Sequence, residues 1–255
     1  MEGTYKTIKK VSILKINVDS VSYSSALKKI MARVDNHVNS YICVSNVHMC
    51  MEAFDDPFFC KVVNNADLVV PDGKPLVWAQ RLLGEKTASQ VRGPDLFLLV
   101  CKEAKKANIP IGLYGGTEQS LSKLMIFLEK RFPKLNIPYS YSPPFRKLNP
   151  IEDEICTKNI NDSGTRILFV GIGCPKQERW MAAHKDKLNC VMIGVGAAFD
   201  FFSGEKRQAP GWLQKAGMEW VFRLLNDPKR LWKRYLKHNP RFVYYFFKQL
   251  LGKTY

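Results

Sequence analysis

A few residue types at particular places could do chemistry. Asp72 stands in Pro71-Asp72-Gly73, directly after the apolar run Leu68–Val70. A carboxylate leaving a buried strand is partly desolvated, which raises its pKa toward the range a general base needs. An Asp-Gly pair is equally a common turn, so the residue alone leaves base and turn open. Asp200 sits in Ala198-Phe199-Asp200-Phe201-Phe202, where a charge needs a ligand, a basic group or backbone donors as partner. Polar or glycine-rich stretches follow four other apolar runs. These are Ser45-Asn46, Gly115-Gly116, Gly171-Ile172-Gly173-Cys174-Pro175-Lys176-Gln177-Glu178, and Gly196-Ala197. Glycines there let backbone approach a ligand closely. A helix starting at Pro175 would offer free N–H groups to a phosphate.

Other chemistries lack their signatures. There is no G-x-G-x-x-G and no G-x-x-x-x-G-K-[ST], and no D-x-D pair to hold a divalent metal on a nucleotide diphosphate. Any diphosphate would have to be neutralised by arginine and lysine. His37, His48, His184 and His238 show no metal-ligand spacing. His48, following the Asn46 loop, could still touch the site. Glu152-Asp153-Glu154 reads as a solvated helical surface. The seven cysteines form no Cys-x-x-Cys pair and their number is odd. They read as small, mostly buried thiols in a reducing cytoplasm.

The elements that must position these residues follow from periodicity. Ser12–Val18, Tyr41–Val44, Leu68–Val70, Ile109–Tyr114, Ile167–Val170 and Val191–Val195 read as strands. Ala26, Leu27, Ile30, Met31 and Val34 share one helix face. Leu121, Leu124, Met125 and Leu128 share another, with Thr117 as N-cap. Pro94 and Pro175 suit first helical turns. Alternating strands and helices predict an α/β, Rossmann-like architecture, a mostly parallel sheet with helices on both faces. Five polar strand ends then lie along one edge, where open α/β sheets bind ligands. Tyr139–Pro150 reads as a loop.

With 255 residues, 46% hydrophobic, the chain can bury a large core. The opening MEGTYKTIKK has no apolar signal core, and no apolar run approaches membrane-span length. The formal charge is +16. Residues 205–255 hold twelve lysines and arginines against three acids, a net +9, which implies an anionic partner. Residues 1–204 are expected to form the core and 205–255 a helical appendage. Asp227-Pro228 and Asn239-Pro240 predict two helices, 228–237 and 240–251, the second ended by Gly252. Phe242, Tyr245 and Phe246 among Lys237, Arg241, Lys248 and Lys253 suit an anionic bilayer surface. Basic charge also suits a nucleic-acid-binding protein, but no recognised motif is present and the glycines are misplaced for one. A non-catalytic membrane scaffold is a third reading. Tail helices covering a cleft could also mediate homo-oligomer formation.

Taken together, several segments resemble the WecG/TagA/CpsF family of bacterial glycosyltransferases, family 26. They are Ser45-Asn46, Ala66-Asp67-Leu68 with Pro71-Asp72-Gly73, Arg92-Gly93-Pro94-Asp95, Leu113-Tyr114-Gly115-Gly116, Gly173–Glu178 and Gly194–Phe201. Arg207–Trp212, Gly217–Arg223 and Pro228–Leu231 complete the pattern, which covers about residues 12–236. Where the family often has Thr-Pro-Asn and Arg-Val-x-Gly, this chain has Val44-Ser45-Asn46 and Gln90-Val91-Arg92-Gly93.

The resemblance implies an inverting, metal-independent hexosyltransferase with no cofactor beyond its donor. It would move N-acetylmannosamine, its uronic acid or a related sugar from a UDP-sugar to a polyprenyl-diphosphate-linked saccharide acceptor in cell-envelope polysaccharide synthesis. It would work at the inner face of the bacterial membrane, with no nucleic acid partner. It implies Asp72 as base, Asn46 in the substrate pocket, Gln177 and Asp200 on the nucleotide, and Arg223, Arg230 and Arg234 completing the site from the tail. Ser45, Arg92, Gly115, Gly116 and Lys176 join the substrate-binding set, with Ser45 and Arg92 standing near the family's usual threonine and arginine.

Overall fold

The computed structural model describes residues 9–253. A hairpin, β1 (Lys10–Ile13) and β2 (Ile16–Asp19), precedes α1 (Tyr23–Asp35) and β3 (Ser40–Ser45). Then come α2 (Val47–Asp55), α3 (Pro57–Asn64), β4 (Leu68–Pro71), α4 (Lys74–Leu82) and α5 (Gly93–Lys106). The chain continues through β5 (Ile111–Gly115), α6 (Glu118–Arg131), β6 (Tyr139–Tyr141), α7 (Pro150–Asp162), β7 (Ile167–Gly171), α8 (Lys176–His184) and β8 (Val191–Gly194). It ends in α9 (Ala198–Phe202), α10 (Gly211–Lys215), α11 (Glu219–Asn226) and α12 (Pro228–Leu250).

Six strands form one parallel sheet in the order β4-β3-β8-β7-β5-β6. The α/β, Rossmann-like expectation holds. Each central strand feeds two cores by alternation. Tyr41, Cys43, Leu168, Val170 and Met192 join α2, α3, α8 and the hairpin on one face. Ile42, Val44, Ile167, Phe169 and Ile193 join α1, α5 and α6 on the other. Burial on both faces explains why the strands read as nearly unbroken apolar runs. The predicted helix faces are the packed ones: Ala26, Ile30 and Val34 in α1, and Leu121, Leu124 and Leu128 in α6, are buried. Thr117 caps α6, accepting from Ser120 N. The first two strands after α1 pair in level register, Ser45 opposite Pro71, so the turns beyond them are neighbours.

Four expectations change. Ser12–Val18 is a tight hairpin rather than one strand, pairing Ile13 with Ile16. Leu14 takes φ +53°, and the Gln249 side-chain carbonyl accepts its N–H at 2.8 Å. The hairpin also blunts the sheet edge, since Asp19 accepts the Val69 N–H at 2.8 Å. The fifth strand starts at Ile111, because Pro110 has no N–H to contribute. Tyr139–Tyr141 adds an edge strand where only loop was expected.

The fourth change is in the tail. Residues 228–250 form one helix running through Pro240. Proline removes one intrahelical bond, but the helix beyond it is held by packing. Phe242 and Phe246 are buried in the core, Arg241 makes two bonds to Asp55 at 2.9 and 2.5 Å, and Gln249 bonds Ser12 O. Asp227 makes no capping bond and instead accepts from Arg230 at 2.6 Å. Gly252, at φ +68°, ends the helix as expected.

Candidate active site

The loops after β3, β4, β5, β7 and β8 share the C-terminal edge of the sheet. Asp72 is fixed there from three sides. Its N–H donates to Ser45 O at 2.8 Å, its carbonyl accepts from Gln90 Nε2 at 2.5 Å, and its Oδ1 accepts from Gly93 N at 2.8 Å. Gly73 lies against Asn46, where an added Cβ would come within 3.4 Å of the Asn46 Cβ. Asn46 caps α2 by accepting from Met49 N at 3.2 Å. Ser45 is fully buried, and its Oγ has no hydrogen-bond partner.

Surrounding protein desolvates the half-buried Asp72 carboxyl and pushes it up to about 6. Arg223, the Gly93 N–H and Arg92 pull against that rise, while Glu219 adds to it. These charges form one network. The buried Arg92 guanidinium donates to Glu219 Oε2 at 3.2 Å and to Asp95 Oδ2 at 3.0 Å. Tyr23 bridges them, donating to Asp95 and accepting the Arg92 N–H. Arg223 donates to the other oxygen of Glu219 and lies over the Phe201 ring at 5.0 Å. Its Nε is buried without a partner. Glu219 therefore joins the tail to the sheet edge. Sequence reading missed it, although its spacing of four from Arg223 was a signal.

Gly115 and Gly116, at φ +133° and +71°, turn the chain beside Gly171. A Cβ on Gly115 would approach the Gly171 carbonyl carbon to 2.5 Å, so this crossing admits no side chain. The loop Gly171–Pro175, with a cis Cys174-Pro175 bond, leads into α8, which begins at Lys176 rather than Pro175. The Gln177 N–H is taken by Gly173 O at 2.9 Å, and the first turn carries Glu178. This helix end is thus less free for an anion than the sequence implied. Gln177 donates from Nε2 to Glu178 Oε1 at 2.6 Å, while its own Oε1 is buried and unpartnered, facing Gly196. Burial pushes the Glu178 carboxyl up to about 7, against the pull of Gln177. The pairing of Glu178 with Gln177 was not foreseen, though both residues stood in the motif.

Asp200 gains the basic partner its apolar setting required: Lys206 donates to its carboxylate. Arg234 has a buried Nε without a hydrogen-bond partner, and burial lowers its pKa. Arg230 is the most exposed of the three tail arginines, with 58% of its side chain exposed and a pair with Asp227. Asp72, Ser45, Asn46, Arg92 and Arg223 are therefore gathered at one place. Gly115 and Gly116 at the end of β5, Lys176 and Gln177 at the start of α8, Asp200 on α9 and Arg234 on α12 border it, and Arg230 lies on the outer rim.

Helix α2 adds a group the sequence did not bring together. His48 and Glu52, one turn apart on α2, meet His238 from α12, with one ligand atom of each within 4.8 Å of the others. Burial holds His48 down to about 3 and His238 down to about 4, with Arg234 and Lys237 adding to both shifts. Both imidazoles are thus neutral near pH 7. The spacing of nearly two hundred residues hid this cluster.

Residues 11–255 match the sequence profile of the Glycosyl transferase WecG/TagA/CpsF family. Among curated proteins the chain is similar to N-acetylglucosaminyldiphosphoundecaprenol N-acetyl-beta-D-mannosaminyltransferases of Staphylococcus aureus. It is 30% identical over 238 residues to that of strain MW2, covering 92% of this chain and 91% of the relative. The proteins of strains NCTC 8325 and MRSA252 match at the same identity and coverage.

Proposed function

The chain belongs to the WecG/TagA/CpsF glycosyltransferase family and is a hexosyltransferase, and from that premise we propose a specific reaction. The donor is a UDP-sugar carrying N-acetylmannosamine, its uronic acid or a related hexose. The acceptor is a saccharide on a polyprenyl diphosphate, and the anomeric configuration inverts. The observation that carries this reading is Asp72, a carboxyl raised to about 6 at a fixed position on the ligand-binding edge beside two arginines. In the proposed step Asp72 takes the proton of the acceptor hydroxyl. The hydroxyl oxygen bonds to the anomeric carbon, and the bond from that carbon to the phosphate oxygen breaks, its electron pair leaving with UDP. One carboxylate suffices for a single displacement.

The departing diphosphate needs positive charge. Arg223 and Arg234 each hold a buried Nε without a partner, and donors already placed stabilise developing charge without reorganisation. In this reading arginines, not a divalent cation, neutralise the leaving group. Gln177, with its unpartnered Oε1, and Asp200 face the nucleotide side.

An acceptor carried on a membrane lipid supports a reaction at the inner membrane face. No helix among the described residues is long and apolar enough to cross a membrane. Surface contact instead fits α12 and its cap, where Val243, Tyr244, Phe247 and Leu251 are exposed beside Lys248 and Lys253. The test is transfer of radiolabelled sugar from UDP-sugars to a synthetic polyprenyl-diphosphate saccharide. Product with inverted configuration is expected, and its absence with every UDP-sugar that shifts the melting temperature would defeat the proposal.

A further inference from the structure

We propose that His48, Glu52 and His238 form a zinc-class metal site that fastens α12 to α2. The cluster has a donor set suited to a borderline dication, two imidazoles and one carboxylate. The His238 Nε2 lies 3.3 Å from Glu52 Oε1, and His48 Nδ1 lies 3.8 Å from the same oxygen. Ligands about 2.0–2.1 Å from a tetrahedral zinc stand roughly 3.4 Å apart, so a shift of a few tenths of an ångström at His48 gathers those two pairs.

The His48 Nδ1, on the side of the ring nearest Glu52, is buried without a hydrogen-bond partner. His238 likewise keeps a buried Nδ1 without a partner, so the cluster is not saturated by protein hydrogen bonds. Three protein ligands leave a fourth position for water.

Charge decides how tight the site is. Arg234, Lys237 and Arg241 surround the cluster and oppose a dication. Asp55 offsets two of them through its contacts with Arg241 and Lys237. Binding weaker than that of thiolate-rich structural sites follows. The consequence is positional. His238 is one turn beyond Arg234 on α12, so a metal here would hold the half of the helix that lies before Pro240.

The experiment is titration of the full-length protein, first stripped of metal, with cobalt and then zinc. One equivalent of cobalt should give visible bands of four- or five-coordinate geometry, which zinc then removes. At free zinc a hundredfold above the dissociation constant, the melting temperature should rise by about 5–10 °C. Hydrogen exchange in 228–238 should slow. Both H238Q and E52Q should weaken binding at least tenfold. Because Glu52 is only half-buried, E52Q keeps the test valid if H238Q fails to fold. Absence of the bands, or stoichiometric binding unchanged in E52Q, overturns the site.

Discussion

Asp72 and Arg234 are both charged groups drawn into the protein, and they are held in opposite ways. Asp72 belongs to a sheet-edge turn whose N–H, carbonyl and Oδ1 are held by Ser45, Gln90 and Gly93. Arg234 rides on an appended helix, and its buried Nε engages nothing. Arg223 has the same character, satisfied on one side by Glu219 and open at Nε. The edge supplies a preorganised group that need not move. The tail supplies cations with unmet donors, which an anionic ligand would satisfy. In the proposed reaction, chemistry and charge neutralisation would be divided between two regions joined through Glu219 and Arg92.

The largest effect expected from that division is at Asp72. D72N keeps an oxygen for the Gly93 N–H but cannot take a proton. Turnover should fall about 100- to 10,000-fold in the radiolabel assay, with donor binding retained. Stability should not fall. A carboxyl raised in the folded state stabilises fully only below its unfolded value of 3.8 and loses that contribution as pH climbs through about 6. Asparagine carries no such penalty, so the melting temperature at pH 7.5 should be equal or higher. A lowered melting temperature would make Asp72 a structural residue and erase the contrast.

Next in size is the packing of the tail. Phe246 is buried and stacked on Phe242, ring centroids 5.8 Å apart. F246A should cost about 3 kcal/mol in denaturant unfolding, an effect on fold rather than chemistry. Turnover per folded molecule should then change far less than in D72N. The pH profile sharpens the same division. The base works when ionised, so turnover should rise about tenfold per unit below pH 6 and level above it. A flat profile between pH 5 and 7 would separate the rate from Asp72.

Legibility differed between the two regions for physical reasons. The strand ends could be read because parallel strands buried on both faces are long apolar runs, and whatever breaks them stands out. Asp72, Asn46 and the Gly115-Gly116 turn were found that way. The hairpin hid because Leu14 turns at positive φ without the glycine that normally announces it. Pro240 predicted a helix boundary, but Phe242, Arg241 and Gln249 fasten the chain beyond it strongly enough to carry the helix through. Contacts between distant segments, Glu219 with Arg92 and His238 with Glu52, have no local pattern at all. They exist only once the tail lies across the edge.

The smallest effect separates the tail arginines from one another. Arg230 pairs with Asp227 three residues before it, on an exposed face. Exposed pairs of this kind contribute within about 0.5 kcal/mol, so R230A should leave unfolding nearly unchanged. Its effect on transfer tests whether the tail moves. In the present geometry Arg230 lies on the rim, beyond Arg234, and R230A should raise KM for the UDP-sugar only a few-fold. R234A removes a buried cation with an unmet donor and should cost more in kcat than in KM. If instead R230A lowers kcat as much as R234A does, the first turns of α12 must rotate inward when substrate binds, and Arg230 works inside the site.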